Sequence, residues 1–421
     1  MSKYFHSLVL DEEKCNGCTN CLRRCPIEAI RVKNKKAIII KNRCIDCGEC
    51  IRVCPYHAQK SITDDLNMLK NFEYNIAIPS MSLYGQFSVD TDMEKVFQAI
   101  KDLGFDYVFD EARAADIITE VLKDMVTDVK LPRPIISSLC PAIVRLIQVR
   151  FPSLIDNIAR VESPMEISAR VARKELMEKY NLSFEKTGVF YLTPCPAKVT
   201  SIRRPIGIKK SHLNGAISID SLYGNIVTNA KKAKVTKALT RGSTEGIGWA
   251  RVGGQSYAIG VENYIAVDGI ENVINVLEEI ELGKLSNLDF FEGLACTGGC
   301  VGGPLNVENP FIAKSRIRKL SKNKTKSKDI TKEYVKELYE QGFIGWTEKI
   351  YTKDIMILDK NIQRAMEKIE RIKYIAKMLP GLDCGSCGSP TCTSLAEDIV
   401  RGYGKIDDCV LRMRENLNKD N

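Results

Sequence analysis

The side chains best able to do chemistry in this chain are its cysteines, which number 16 against only 3 histidines among 421 residues. Three groups of four cysteines have short internal spacings, and the fourth group is spread over the middle of the chain. Thiolates bind zinc and iron–sulfur clusters, and in a reducing compartment they stay free of disulfide bonds. The cysteine content therefore predicts several metal centres.

The bulk composition favours a reducing compartment, namely the cytoplasm. The polar start, MSKYFHSLVLDEEK, lacks the apolar segment of a secretory signal, and no run approaches the ~20 apolar residues that span a bilayer. A hydrophobic content of 44% and a charged content of 27% are ordinary for a soluble globular protein. We expect a cytoplasmic protein of several domains that does not contact a membrane.

The formal net charge is +9, and much of it comes from residues 314–332, which include the run RIRKLSKNKTKSK. We favour a solvated, mobile loop here over a docking patch for an acidic electron carrier. Binding of nucleic acid is not expected, because no reader motif accompanies the charge.

Two of the cysteine groups form an internal repeat within residues 1–66. The pattern C-x2-C-x2-C-x3-C-P occurs twice in this segment, as in bacterial two-cluster ferredoxins, where the fourth cysteine of each set binds the other cluster. It predicts an α+β ferredoxin domain with two 4Fe–4S clusters. Their ligands would be Cys15, Cys18, Cys21 and Cys54 for one cluster, and Cys44, Cys47, Cys50 and Cys25 for the other. A pair of zinc sites is the alternative, and the two triplets with a trailing Cys-Pro disfavour it.

A further group lies in residues 380–421, with the spacing C-x2-C-x4-C-x16-C: Cys384, Cys387, Cys392 and Cys409. This segment resembles the small 4Fe–4S domains of electron-transfer subunits, and zinc is again the alternative. Residues 346–379 form a predicted linker, in which apolar residues recur at helical spacing from Lys353 to Leu379. We expect an amphipathic helix packed on the central domain; a coiled coil that forms a homodimer is the alternative.

Residues 67–345 alternate short apolar runs with segments of helical periodicity, which is typical of an α/β domain with parallel sheets. Strands are predicted at 74–78, 107–109, 134–137, 188–192, 264–267 and 288–291. Cys140, Cys195 and Cys296 each follow such a strand. Because ligands gather at the carboxyl ends of parallel strands, these cysteines and Cys300 are expected to meet at one metal site between two lobes.

Three segments of this central region resemble the signatures of iron-only (FeFe) hydrogenases. SSLCPAI (137–143), TPCPAK (193–198) and FFEGLACTGGCVGGP (290–304) are similar, in the same order, to the family motifs TSCCPxW, MPCxxK and ExMACxxGCxxGG. The likeness covers roughly residues 70 to 310. Four ordinary buried cysteines are the alternative.

The resemblance implies that Cys140, Cys195, Cys296 and Cys300 hold a 4Fe–4S cube. Cys300 would bridge the cube to a diiron unit with carbonyl and cyanide ligands, so that the cofactors are three 4Fe–4S clusters and one H-cluster. The implied partners are H2, a redox partner such as ferredoxin or a signalling protein, and H-cluster maturation proteins. Matching positions of the diiron pocket are Lys198, whose family counterpart hydrogen-bonds a cyanide, Pro79 and Ser80.

The chain departs from the family pattern where the family moves protons. Leu139 stands where active members carry a proton-relay cysteine, Ala159 where they carry a serine, and Ser201 where they carry a glutamate. Glu120 is at best the counterpart of the upstream acidic pair. Two methionines beside the cluster are also replaced, by Thr193 and Leu294.

A chain that keeps the iron ligands and lacks the relay should bind H2 but turn over slowly, because general acid–base groups contribute roughly 10²–10⁴-fold each. We therefore predict a hydrogen-sensing or low-turnover hydrogenase, resembling the family's sensory branch, that activates H2 heterolytically and passes electrons along 4Fe–4S clusters. One alternative is a metabolic, ferredoxin-linked hydrogenase with a non-standard proton route. The other is a non-catalytic electron-transfer protein without the diiron unit. Oxygen-labile clusters predict an anaerobe.

Overall fold

The protein is described by a computed structural model, which covers residues 5–235, 239, 241–322, 325, 327 and 329–419, without the side chains from 415 onward. These residues divide into two compact units. The first draws on the ranges Met1–Cys44, Gly48–Ser61 and Lys353–Asn421, and the second on Ile45–Cys47 and Ile62–Thr352. The predicted ferredoxin and C-terminal domains therefore belong to one unit, together with the helix that was expected to pack on the central domain.

The amino-terminal part of the first unit consists of short elements: β1 (Leu8–Leu10), α1 (Asn20–Arg23), β2 (Ile30–Lys33), β3 (Lys36–Ile39), α2 (Glu49–Arg52) and β4 (Gln59–Ser61). Strand β1 pairs antiparallel with β4, and β2 pairs antiparallel with β3. The two halves of the repeat also share a local contact, since the Cys25 sulfur accepts from the Ala29 amide and the Cys54 sulfur from the Ala58 amide. The expected α+β arrangement is present.

The second unit contains two parallel sheets. Its strands are β5 (Tyr74–Pro79), β6 (Tyr107–Val108), β7 (Ile135–Ile136), β8 (Thr187–Thr193), β9 (Gly215–Ser218), β10 (Tyr264–Asp268) and β11 (Phe290–Leu294). One sheet has the order β6-β5-β8-β9 and the other β10-β11-β7, with every pairing parallel. Strand β9 was not predicted, and β11 begins and ends later than the predicted 288–291.

Helices connect these strands, as expected for an α/β domain: α3 (Met93–Lys101), α4 (Glu111–Thr127), α5 (Pro141–Arg150), α6 (Pro164–Tyr180), α7 (Pro196–Arg203), α8 (Ile219–Ala230), α9 (Thr244–Gly248), α10 (Gly254–Ile259), α11 (Ile270–Glu281), α12 (Pro310–Leu320) and α13 (Lys332–Glu340). The central strands β5 and β8 are fully buried over most of their length, as strands covered on both faces must be.

Helix α12 corrects one expectation. It contains the beginning of the basic stretch 314–332, which was predicted to be a solvated loop. Lys314 pairs with Asp268, and Arg316 pairs with Glu308, so these cations have counter-ions on the same unit. Positions 323, 324, 326 and 328 of the stretch lie outside the described residues.

The carboxyl-terminal part of the first unit contains α14 (Ile362–Met378), α15 (Cys392–Val400) and α16 (Val410–Lys419). The predicted amphipathic helix begins at Ile362 rather than Lys353, because the Asn361 side chain caps it by accepting from the Arg364 amide. Its buried face packs on α15, in a small core of Ile375, Leu379, Leu395, Ala396 and Cys409. This buried face therefore packs within the first unit, whereas the sequence predicted packing on the central domain.

Among the described residues, no helix is both long enough and apolar enough to cross a membrane.

Candidate metal centre

The four cysteines of the second unit come from three loops that follow strands. Cys140 directly precedes α5, and Cys195 directly precedes α7, each followed by a proline at the first helical position. Cys296 follows β11, and Cys300 begins a short 3₁₀ turn. Helix starts favour negative charge, so the two helix-capping positions suit thiolates.

These cysteines lie close enough to affect one another's ionisation. Burial raises the pKa of the Cys195 thiol, and the neighbouring Cys296, Cys300 and Cys140 raise it further. Burial likewise raises the pKa of Cys140, with Cys300 as a further cause. Cys296 is buried, the other three cysteines are partly exposed, and no disulfide joins any of the four. Four such thiols are a donor set that fits a soft metal centre.

Two glycines of the third motif allow the loops to approach. A Cβ atom on Gly303 would lie 2.3 Å from the Pro194 carbonyl oxygen, and the Leu305 amide donates to the same oxygen at 2.9 Å. Gly299 has a φ of +98°, and a Cβ atom there would lie 2.7 Å from the Val252 nitrogen. Only glycine fits such contacts, so the motif holds the Cys296–Cys300 loop against the loop of Cys195.

A fully buried charged network lies beside this donor set. The Lys198 ammonium is 2.7 Å from the Tyr191 hydroxyl, which donates to a Glu111 carboxylate oxygen at 2.9 Å. Lys198 and Glu111 themselves are 3.8 Å apart. Burial is the largest single influence and opposes the charge on Lys198, but Glu111, Tyr191, Cys300 and Cys195 together hold the pKa of Lys198 well above its ordinary value. Lys198 therefore stays protonated inside the protein.

Sequence reasoning found Lys198 and missed its two partners. Glu111 begins α4 directly after the strand-end sequence FD, and Tyr191 lies within the apolar strand β8. A carboxylate in the first turn of a helix has an ordinary capping explanation, so nothing in the sequence marks Glu111 as a counter-ion. The amide of Met81 donates to the second carboxylate oxygen of Glu111 at 2.8 Å, which fixes the orientation of that carboxylate.

The structure brings Pro79 and Ser80 to the same edge of the sheet. Pro79 pairs with Leu192 at the carboxyl ends of β5 and β8, and the Ser80 amide donates to the Leu192 carbonyl at 3.1 Å. The Ser80 hydroxyl forms a hydrogen bond with Tyr191. These pocket positions therefore share one strand end with Cys195 and Lys198.

The positions at which this chain differs from the family pattern are buried, or their hydroxyl groups are already hydrogen-bonded. Leu139 and Ala159 are buried apolar residues, and Leu294 is buried at the end of β11. The Ser201 hydroxyl accepts from the Arg145 guanidinium at 3.1 Å, and Thr193 bonds the backbone of Cys195.

Glu120 lies elsewhere. It pairs with Lys123 at 2.7 Å and lines an open groove of about 940 Å³ between α4 and α13, whose lining includes none of the four cysteines.

Two quartets of the first unit each line a cavity of their own. One cavity is lined by Cys15, Cys18, Cys21 and Cys54, and another by Cys384, Cys387, Cys392 and Cys409. Burial raises the pKa of Cys21 to about 11, with the other three thiols of its quartet as further causes. In the remaining quartet, Cys44 and Cys50 are buried, and Cys25 and Cys47 are partly exposed; its shared ligation remains a prediction.

The C-terminal cysteine module is docked on the ferredoxin repeat within the first unit. The buried Arg31 guanidinium contacts both carboxylate oxygens of Asp398, at 2.5 and 3.0 Å. The Arg23 side chain donates to the Cys384 carbonyl at 2.6 Å, and the Val32 amide donates to the Gly388 carbonyl at 2.9 Å. The loop between the first two C-terminal cysteines therefore lies directly against the repeat.

Comparison with known families gives three matches along the chain. The model of the iron only hydrogenase large subunit, C-terminal domain, matches residues 74–222 and 216–304, which is more than half of the chain. A 4Fe-4S dicluster domain matches residues 7–55, and an Fe-S cluster domain matches residues 379–411.

The individual relatives have low sequence identity to this chain. The chain is 23% identical over 401 residues to the NADP-reducing hydrogenase subunit HndD of Solidesulfovibrio fructosivorans, covering 80% of this chain and 64% of that protein. It is 25% identical to the periplasmic [Fe] hydrogenase large subunit of Nitratidesulfovibrio vulgaris, covering 71% of this chain and 86% of that protein. A solved variant of the [FeFe]-hydrogenase HydA1 from Chlamydomonas reinhardtii superposes with a TM-score of 0.49 at 14% identity, over 65% of this chain and 92% of that one.

Proposed function

Because the chain belongs to the family of the iron-only hydrogenase large subunit, we propose that it is a hydrogen-sensing or low-turnover hydrogenase. The observation that carries the proposal is the closeness of four cysteines to one another and to a buried lysine whose pKa is raised, with a leucine at the relay position. The first two features suit a centre that binds H2, and the third suits slow proton transfer.

In this proposal Cys140, Cys195, Cys296 and Cys300 hold a 4Fe–4S cube, and Cys300 also bridges to a diiron unit. When bound, that group supplies the heterolytic splitting of H2 and takes up the electrons. The role of the protein is to hold and orient it. Lys198 is fixed by the Tyr191 hydroxyl and keeps ammonium protons for an acceptor in the pocket, such as a cyanide.

Leu139 supports the low-turnover part of the proposal. It lies next to Cys140, is only 2% exposed, and has an aliphatic side chain that cannot donate or accept a proton. A sensor requires occupancy and a change of redox state, and it tolerates slow turnover.

The first unit is proposed to carry three 4Fe–4S clusters that exchange electrons. The contacts of Arg23 with Cys384 and of Arg31 with Asp398 support direct exchange between the C-terminal cluster and the ferredoxin repeat. The electrons would pass to a ferredoxin or a signalling protein in the cytoplasm, and maturation proteins would install the diiron unit.

A metabolic role is the second candidate, and the likeness to an NADP-reducing hydrogenase subunit over 80% of this chain favours it. Under this alternative the chain would be one subunit of a larger enzyme, and protons would take a route that avoids Leu139.

Infrared spectroscopy and turnover test the proposal together. The anaerobically matured protein should show carbonyl and cyanide bands and about 18 iron atoms per chain, from four cubes and a diiron unit. Its dye-coupled oxidation of H2 should be far slower than that of a relay-containing hydrogenase. Rates equal to that enzyme would favour the metabolic role, and the absence of the bands would leave only an electron-transfer protein.

A further inference from the structure

A small cavity with both polar and apolar lining lies beside the loop that carries Leu139. Its volume is about 30 Å³, which is room for about two waters at the usual 10–15 Å³ each. Its lining includes the polar residues Ser138, Glu162, Ser163, Glu166 and Ser201. Ser138 precedes Leu139, and Ser201 is itself one of the positions that lost a family proton carrier. The cavity therefore adjoins the interrupted relay.

Glu162 is the unusual group in this cavity. It is only 6% exposed, and its Oε1 atom has no hydrogen-bond partner among the described residues. Burial raises the pKa of Glu162 to about 8, although the nearby Arg170 opposes this, and Glu166 adds to the rise. The Ser163 backbone forms a hydrogen bond with the Glu162 carboxyl and lowers its pKa, so among the described residues only Oε1 lacks a partner. A buried polar atom of this kind is costly, so one that persists has a reason such as a bound water or a function.

A hydrogen-bonded path leads from the cavity to solvent. The Glu166 carboxylate contacts the His212 ring nitrogen Nδ1 at 2.7 Å and accepts from the Ser211 hydroxyl at 2.6 Å. The His212 side chain is 38% exposed, so its ring, which can hold a proton on either nitrogen, reaches bulk water. The Arg170 guanidinium lies 3.5 Å from the same carboxylate. Burial alone would raise the pKa of Glu166, but these partners lower it, so Glu166 is the ionised member of the pair.

The serines at the inner end of the cavity are arranged to pass protons. The Ser138 hydroxyl donates to the Val161 carbonyl at 2.7 Å, which leaves its oxygen free to accept. The Ser201 hydroxyl accepts from Arg145, which leaves its hydrogen free to be donated. Ser201 also lies one helical turn after Lys198 on α7, so the two share a face of that helix.

We propose that Glu162 carries protons between the His212–Glu166 pair, of which His212 is exposed, and the serines beside the metal centre, in place of the relay that ends at Leu139. This inference rests on the proposed function, because it assigns a route to the protons of H2. Each step moves one proton from an oxygen or nitrogen to the next through cavity water. Only O–H and N–H bonds are exchanged, and no electrons move.

The test compares Glu162→Gln with the wild-type matured protein and with Glu278→Gln, a matched change at a surface residue paired with Arg150. Infrared difference spectra across pH 6–9 should show a carboxylic acid band that titrates in the wild type and in Glu278→Gln and is missing in Glu162→Gln. Dye-coupled H2 oxidation should fall at least about 10-fold in Glu162→Gln alone, within the range of general acid–base effects. Iron content should be equal in all three proteins.

The outcomes separate the two proposals. Carbonyl and cyanide bands with unchanged turnover in Glu162→Gln would overturn the proton route and leave the hydrogenase assignment standing. Absence of these bands in the wild type would overturn both. If Glu162→Gln does not load its clusters, His212→Gln at the exposed end of the path serves instead; a lower rate with an altered pH profile supports the route, and an unchanged profile overturns it.

Discussion

The hydroxyl of Tyr191 lies 2.7 Å from the ammonium nitrogen of Lys198, and both side chains are shielded from solvent. The tyrosine also connects the lysine to Glu111. The position of Lys198 in its pocket is therefore set by neighbours on β8 and α4 as well as by its own helix.

Replacing Tyr191 with phenylalanine should loosen Lys198. We expect the cyanide bands of the matured protein to shift while iron content is unchanged, because the lysine loses its fixed orientation. A buried polar group left without a partner costs about 1–3 kcal/mol, so the unfolding midpoint should also fall. Infrared spectra and anaerobic urea unfolding measure both effects. Tyr334→Phe, which removes a 3.3 Å contact with Glu175 outside the pocket, is the control. Cyanide bands that do not move would contradict the role of the tyrosine.

Removing Glu111 should have a larger effect on stability. Glu111→Gln leaves the buried Lys198 charge without its counter-ion, and breaking a buried pair in this way costs about 3–5 kcal/mol. The double variant Glu111→Gln with Lys198→Gln should recover part of the loss, since neither charge then remains. Unfolding free energies from urea titration complete the cycle. Additive losses would mean that the two groups do not interact.

Restoring a proton carrier at position 139 tests the low-turnover assignment. Leu139→Cys should raise dye-coupled H2 oxidation by roughly 10²–10⁴-fold if the relay limits turnover. Leu139→Ala is the matched control, because it removes bulk and adds no ionisable group. An equal gain in both variants would point to access rather than proton transfer.

Docking of the C-terminal module should depend on Gly388. A Cβ atom at this position would lie 1.8 Å from the Val32 carbonyl oxygen, so Gly388→Ala must displace the module. Gly402→Ala is a matched control, because its φ of +81° is almost the same as the +82° of Gly388 and no atom lies within 4 Å of the added carbon. We expect the magnetic coupling between reduced clusters, measured by electron paramagnetic resonance, to weaken only in Gly388→Ala. Equal coupling in the two variants would show that the contact does not position the clusters.

The raised pKa of Glu162 should make the free energy of unfolding depend on pH. Because its pKa is raised to about 8 in the folded chain from an ordinary value of 4.5, the folded state holds an extra proton between these values. The free energy of unfolding should therefore fall as pH rises through this window, by at most about 1.4 kcal/mol per pH unit. Glu162→Gln should lack this loss and gain stability relative to wild type as pH rises. Urea unfolding at pH 5 to 8 measures the difference, and parallel curves for the two proteins would refute the shift.

The grouping of the two cysteine quartets that each line a cavity was predictable, because short spacings are local properties of a sequence. The strand ends that carry Cys140 and Cys195 were also predictable, since buried parallel strands leave continuous apolar runs. Strand β9 was missed because Gly215–Ser218, with the sequence GAIS, contains one β-branched residue among small ones and gives a weak strand pattern. The contacts that orient the site depend on distant pairing. Arg31 and Asp398, for example, are 367 positions apart, and no local pattern marks either one.

The neutralisation of Lys198 by Glu111 affects how the pocket could receive an anionic cofactor. An isolated ammonium would attract an anionic cofactor strongly. The Lys198–Glu111 ion pair instead has almost no net charge, so it contributes little long-range attraction. The peptide dipoles at the starts of α5 and α7 would add attraction, but only over the first turn of each helix. Binding of an anionic cofactor would thus depend on close contacts in the pocket rather than on long-range electrostatic steering.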